Sequence, residues 1–215
     1  MKKLLLFAVA FIAYMCGGAQ PAKIKYPEPE FSNEIYLLKK DSTVMRLEKN
    51  SSKMDSKVKM GGIGGAENGY TIEGEKSTVR LGSGGNLSFV FSTGASAQST
   101  SPQNDSVMRA NGMDPSMISG AMGGIMDPVN TVTLYKTVLV KGNRKIMLQK
   151  SPGMFGSKKI SSSDKYTFSV KKIRDGYWEL VIDKTLPKGE YAFTTMSMNM
   201  GNMDGAITLF AFAVD

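Results

Sequence analysis

Apolar and polar residues alternate with a period of two along most of this chain, which is the signature of half-buried β-strands. Ile35 and Leu37, a polar turn at Lys40-Asp41-Ser42, then Val44 and Leu47 predict an opening hairpin. Ser56 to Met60 reads as a short strand broken by Gly61-Gly62-Ile63-Gly64-Gly65. Tyr70 to Ile72 and Ser77 to Leu81 flank a turn at Glu73-Gly74, and Leu87 to Phe91 is apolar enough to be buried. Val132, Leu134 and Val138 interleave with threonines over Thr131 to Val140; Gly142-Asn143 turns the chain and Lys145 to Gln149 returns it. Tyr166, Phe168 and Val170 form one apolar face, Asp175-Gly176 favours a tight turn, and Trp178, Leu180 and Ile182 answer on the way back. Ile207 to Val214 is apolar at nearly every position and predicts a central strand buried on both faces. No stretch beyond the N-terminal run shows a 3.6-residue period; Ser106 to Met126 carries four Gly and one Pro, which argue against a long helix. Roughly eight or nine short strands with turns between them predict an all-β fold, an antiparallel β-sandwich of immunoglobulin-like or Greek-key type with long loops.

The ends and two interior segments depart from that pattern. Residues 1–19 read as a signal peptide: Lys2 and Lys3, an apolar run from Leu4 to Met15, then Gly17, Gly18 and Ala19. The run is shorter than the roughly 20 residues that cross a bilayer. Cleavage after Ala19 leaves Gln20 first; the rival reading makes Cys16 a lipid attachment site, although Met15 and Tyr14 precede it where small residues are wanted. Residues 20–33, with Pro21, Pro27 and Pro29, read as an extended lead-in, and 34–215 as a single sandwich domain. Ser92 to Asn130 is a Ser/Gly/Met-rich insertion, and Ser51 to Glu67 is rich in Lys, Ser and Gly. Loops this long are uncommon inside a compact domain and tend to carry function.

Composition narrows the chemistry. The chain has no His and one Cys, Cys16. A Ser-His-Asp triad, a Cys-His dyad and an imidazole or thiolate metal site are therefore excluded from the exported domain, which must hold together by its core alone. The net charge of +8 falls to +6 once Lys2 and Lys3 leave with the signal. The basic pairs Lys39-Lys40, Lys158-Lys159 and Lys171-Lys172 are spread along strands and turns, without a run of five, so they read as solvated faces and protected edges rather than a nucleic-acid surface. The expected compartment is the periplasm or the extracellular space, with membrane attachment only if Cys16 is lipidated.

Leu186-Pro187-Lys188-Gly189-Glu190-Tyr191 is the most specific local motif. A Tyr placed so, near a strand start, hydrogen-bonds back to the turn backbone in Greek-key sandwiches and fixes the corner. This stretch also carries a resemblance. Leu-Pro-Lys-Gly-Glu-Tyr-Ala-Phe from Leu186, Leu-Phe-Ala-Phe-Ala-Val-Asp at the C-terminus, Pro29-Glu30-Phe31 with Asn33-Glu34-Ile35-Tyr36, and Gly153-Met154-Phe155-Gly156-Ser157 together resemble a family of uncharacterised exported bacterial β-domain proteins. The resemblance is patchy, covers about half of the exported chain, and implies an all-β exported domain with no catalytic residues to carry over. The Met/Gly-rich insertion has no counterpart in it.

The methionines are the unusual feature. Met196, Met198, Met200 and Met203 form one array, and Met108, Met113, Met117, Met122 and Met126 recur through the insertion. Thioethers are soft ligands that suit Cu(I) or Ag(I), so the first array is a candidate metal site. Methionine equally fills irregular gaps and forms pliable contact surfaces. The glycine clusters at 61–65 and 82–85 match neither a P-loop nor a dinucleotide fingerprint. Glu73, Glu75, Asp114, Asp127 and Asp204 lie in turns and loops, and nothing in the sequence pairs two carboxyls as a glycosidase requires; Asp105, Asn111, Asp114 and Asp127 do not have EF-hand spacing. The expectation is a non-enzymatic binding or structural module at the cell envelope, needing no cofactor, with an unknown protein or glycan partner and no nucleic acid. The alternative is a soft-metal protein built on the Met-rich loops.

Overall fold

A computed structural model describes residues 26–58, 65–93, 109–110, 127–152, 162–195 and 206–215. Their regular structure is nearly all β, with 59% in strands against 4% in helix, arranged in three largely antiparallel sheets, none closed into a barrel. Sheet A has the order β12-β13-β7-β1-β2, with β1 Glu34–Leu38, β2 Val44–Arg46, β7 Ser88–Ser92, β12 Phe168–Arg174 and β13 Tyr177–Ile182. Sheet B runs β11-β8-β14-β15-β3, with β3 Glu48–Ser52, β8 Val132–Lys136, β11 Lys165–Tyr166, β14 Gly189–Thr195 and β15 Ile207–Val214; β6, Arg80–Leu81, adds to β15 in parallel. Sheet C is β4-β5-β10-β9, with β4 Met54–Val58, β5 Ala66–Ile72, β9 Val138–Val140 and β10 Asn143–Ser151. A short helix, α1 (Pro128–Thr131), leads into β8 and is capped by the Asp127 carboxylate, which accepts from the Val129 amide at 2.9 Å.

The expected sandwich is the pair of sheets A and B. Ile35, Leu37, Phe89, Phe91, Leu180 and Ile182 from sheet A meet Leu134, Tyr191, Phe193, Phe210, Phe212 and Val214 from sheet B in one cluster. Every second residue points inward, as the period of two requires. Ile207–Val214 is the buried strand its composition predicts. It lies between β14 and β3, and both its faces are covered. Phe210, Phe212 and Val214 face sheet A, whereas Leu209 and Ala211 join Ile72, Ile146, Tyr135 and Ala192 in a second core against sheet C.

That third layer was not expected, and it accounts for several departures from the sequence reading. Ser51 to Glu67 reads as a segment foreign to the sandwich, yet it carries the end of β3, all of β4 and the start of β5. The chain bends at Lys53 and passes from sheet B to sheet C. Thr131 to Val140 reads as one strand, but the ladder breaks at Thr137 and the chain again changes sheets. There the Thr137 amide and hydroxyl both donate to the Glu190 carbonyl, at 2.8 and 3.1 Å. Such corners are how strands serve two packed sheets. Ser77 to Leu81 forms a strand only at Arg80–Leu81, because the amides of Ser77 and Thr78 donate to the carboxylates of Glu190 and Glu48 instead of to a strand partner.

Residues 26–33 are a docked strap. Tyr177 donates its hydroxyl to the Pro27 carbonyl at 2.6 Å, and Tyr26 donates to Glu179 at 2.7 Å. Arg174 pairs with Glu28, and the Asn33 amide donates to the Ser92 carbonyl at 2.6 Å. The strap thereby crosses the outer face of sheet A, where Tyr36, Leu38, Val90 and Tyr177 form a third apolar cluster that also takes in Tyr26. Burial of the Tyr177 ring pushes its hydroxyl up to about 12, so it stays a hydrogen-bond donor at any ordinary pH.

The Leu186–Tyr191 corner forms as the motif predicts. Tyr191 is fully buried, and its hydroxyl donates to the Pro187 carbonyl at 2.6 Å where the chain passes from β13 to β14. Tyr191→Phe removes that one bond and little packing, so it should cost about 1 kcal/mol in a urea denaturation series. An unchanged midpoint would show that the corner is held by the Pro187-Lys188-Gly189 turn alone.

Candidate functional site

Among the described residues, the largest constellation of functional-type side chains lies where sheets B and C meet. Glu48 on β3, opposite Ala211 of β15, and Glu190 on β14, opposite Ala213, point toward sheet C. Arg144 on β10 comes from sheet C to meet them, with only 2% of its side chain exposed. Its Nη2 donates to Glu48 Oε1 at 2.6 Å and its Nη1 to Oε2 at 3.2 Å, a bidentate pair; Nε reaches the Gly74 carbonyl and Nη2 the Glu73 carbonyl. Arg144 also stands 3.8 Å from Glu190. Ser77 ties the two carboxylates together: its hydroxyl donates to Glu48 at 2.7 Å and its amide to Glu190 at 2.9 Å. Arg80 reaches Glu190 at 3.4 Å and pairs with Asp215 at the C-terminus.

The fold thus brings onto common partners two carboxylates other than those the sequence singled out. It does not make them an acid–base pair. Burial alone would raise the Glu48 carboxyl. Hydrogen bonds from Arg144, Ser77, the Thr78 amide and Asn50 outweigh that and hold it down at about 2. A carboxylate so stabilised is a poor proton acceptor at neutral pH and never a general acid there. The network closes one end of the core between sheets B and C.

The linkage has a definite sign. Glu48 is depressed in the folded protein, so its stabilisation is complete above the unfolded value near 4.3 and disappears as pH falls toward 2. We expect about 2–3 kcal/mol to be lost across that window from this group. Denaturation midpoints measured from pH 6 to pH 2.5 should show it, and Glu48→Gln should flatten that part of the curve.

Two smaller ionic groups follow the same logic. On the outer face of sheet A, Glu34 is buried beneath Arg46, at 2.7 Å, and Lys49, at 2.8 Å. Burial raises its carboxyl, but those two cations leave it lowered overall. On sheet C, Lys145 is buried between Glu67, at 2.9 Å, and Asp55, at 3.4 Å. The signal for these groups is visible only in hindsight, as charged residues inside otherwise strand-like stretches. Their partners lie up to 90 residues away in the chain.

The sequence-selected residues fare differently. Met196, Met198, Met200 and Met203 lie outside the described residues, as do Asp105, Asn111, Asp114 and Asp204 and the five methionines of the insertion. Glu73 contributes its carbonyl to Arg144, and Asp127 caps α1. Among the described methionines, Met45 packs against the core between sheets A and B, Met147 is buried on β10, and Met54 is exposed on β4. No group of three or more His, Cys, Asp and Glu residues able to hold a metal ion occurs among the described residues.

The described chain does, however, bring the ends of residues 196–205 and the downstream end of the insertion together. Thr195, the last residue of β14, pairs with Val132 of β8 on one side and with Thr208 of β15 on the other. Residues 196–205 therefore leave and re-enter sheet B beside the point where α1 delivers the downstream end of the insertion. The polar corner at Gly189 and Glu190 is at the other end of β14.

Comparison of the chain with family models, with curated proteins and with solved structures finds no match in any of the three.

Proposed function

We propose that this protein is an exported, non-enzymatic module that binds or builds at the cell envelope. It would be delivered by the signal at residues 1–19, and it would contact a protein or glycan through the end of sheet B where residues 196–205 and the downstream end of the 92–130 insertion are rooted. The pairing of Thr195 with Val132 and Thr208 carries the reading, because it brings the ends of residues 196–205 and the downstream end of the insertion to neighbouring positions on a rigid sheet. The saturated state of the Glu48–Glu190 pair supports a structural rather than catalytic use of the buried charges.

Replacing residues 196–205 with an Asn-Gly turn tests this. The variant should keep the parent melting temperature and lose co-sedimentation with isolated cell envelopes at physiological salt. Equal binding by the variant, or no binding by the parent, would overturn the assignment.

The same convergence favours a second reading, a Cu(I) or Ag(I) carrier using Met196, Met198, Met200 and Met203, with sulfurs of the insertion completing the coordination. Titration with Cu(I) against a competing chelator decides it. Affinity that survives replacement of these four methionines by leucine would eliminate that array.

A further inference from the structure

Strand β4 stands at the edge of sheet C, and among the described residues it has a strand partner on one side, β5. Its two apolar side chains do not lie in the core: Met54 is 53% exposed and Val58 61%. An open edge carrying exposed apolar groups is a template for another strand. The order of residues on this edge says which strand fits. Met54-Asp55-Ser56-Lys57-Val58 is self-complementary about Ser56. Laid antiparallel to a second copy of itself, Met54 meets Val58, Asp55 meets Lys57, and Ser56 meets Ser56. Each copy then supplies both members of an apolar pair and both members of a charge pair, which is the requirement for a two-fold, isologous contact.

We propose that two copies of this chain associate through β4 across a two-fold axis at Ser56, joining their sheets C into one continuous eight-stranded sheet. The charges are already in place for it. Asp55 is held from within by Lys145 at 3.4 Å, while Lys57, on the same face at 3.0 Å from Asp55, is largely solvent-exposed. It can turn to the Asp55 of the other copy without unpairing the buried lysine. The other edge of sheet C, β9 with the sequence Val-Leu-Val, offers no such charge match, although Leu139 is 61% exposed. Five residues a side make a contact well below the size of permanent interfaces, so the dimer is concentration-dependent.

Cross-linking at the axis tests the proposal. In the exported protein, Ser56→Cys should give a disulfide-linked dimer under mild oxidation, since directly opposed strand residues come within reach of that bond. Leu139→Cys, on the other edge of the same sheet, should not, and the parent accounts for any contribution of Cys16. Adding Lys57→Asp to Ser56→Cys places like charges across the axis and should reduce cross-linking at least tenfold, whereas Lys57→Arg should preserve it. Both substitutions fall on an exposed side chain and should leave the melting temperature unchanged. Sedimentation of the parent at rising concentration should approach twice the chain mass. Cross-linking that ignores Lys57→Asp, equal cross-linking through Leu139→Cys, or a monomer at every concentration without cross-linking through Ser56→Cys would each overturn it.

Discussion

Arg144→Ala is expected to destabilise the protein by about 3–5 kcal/mol, the range for breaking a buried ion pair by removing one partner. The cost comes from what stays behind. Glu48 keeps its charge but loses a bidentate partner at 2.6 and 3.2 Å, and the Glu73 and Gly74 carbonyls lose theirs. Glu190 loses the cation at 3.8 Å and leans on Arg80. For a chain of this size the loss corresponds to a melting temperature lower by roughly 10 °C. Adding Glu48→Gln to Arg144→Ala should recover part of the loss, because the abandoned charge is gone. A double variant as unstable as the sum of the two singles would show that Arg144 acts through packing instead. Urea denaturation of the four proteins closes the cycle.

Phe193→Ala is the second large effect, again about 3–5 kcal/mol. Phe193 lies on β14 in the middle sheet and is fully buried. Its ring meets Phe89 edge-on at 5.0 Å, Phe168 at 5.9 Å and Phe212 at 5.9 Å, so it joins sheet A to sheet B at the centre of the larger core. Truncation loses the transfer energy of the ring, its aromatic contacts and the filling of a cavity that strands on both sides cannot close. Val129→Ala, at a residue 63% exposed, is the matching surface control and should change stability by less than about 0.5 kcal/mol. If the two variants unfolded at the same urea concentration, the A–B core would not be the seat of stability.

Much of sheet A was legible because its signals are local. Alternation from Phe168 to Ile182, interrupted by Asp175-Gly176, appears as the β12–β13 hairpin with Gly176 at φ 69°, whereas Tyr166, two residues earlier on the same apolar pattern, pairs with Leu134 in sheet B. The tyrosine corner was legible for the same reason, since Tyr191 and Pro187 are four residues apart. Sheet C was legible only in pieces: the strands expected at Ser56 to Met60, Tyr70 to Ile72 and Lys145 to Gln149 overlap β4, β5 and β10, but the layer they build did not show. Strand β4 reads Met-Asp-Ser-Lys-Val and β5 Ala-Glu-Asn-Gly-Tyr-Thr-Ile, too polar to announce a buried face. Each becomes a strand because neighbours already in the sheet accept its hydrogen bonds. Loop-like composition in 51–67 therefore misled where tertiary pairing outweighs local preference. The charged residues were illegible in a different way. Glu34, Glu179 and Lys145 look like ordinary strand-surface charges, and only contacts from segments distant in the chain bury them.

By itself the sequence determined that the chain is a β protein, which strand would be buried on both faces, and where the corner turns. Period-two alternation, turn residues and a Tyr four residues after its acceptor act within one or two strands and need no knowledge of the rest. Only the tertiary structure decided that three sheets form instead of two, that Lys53 and Thr137 carry strands from one sheet to the next, and that Arg144 meets Glu48 and Glu190. Those outcomes depend on which distant segments pair, and pairing is settled by the burial and charge neutralisation of the whole chain at once.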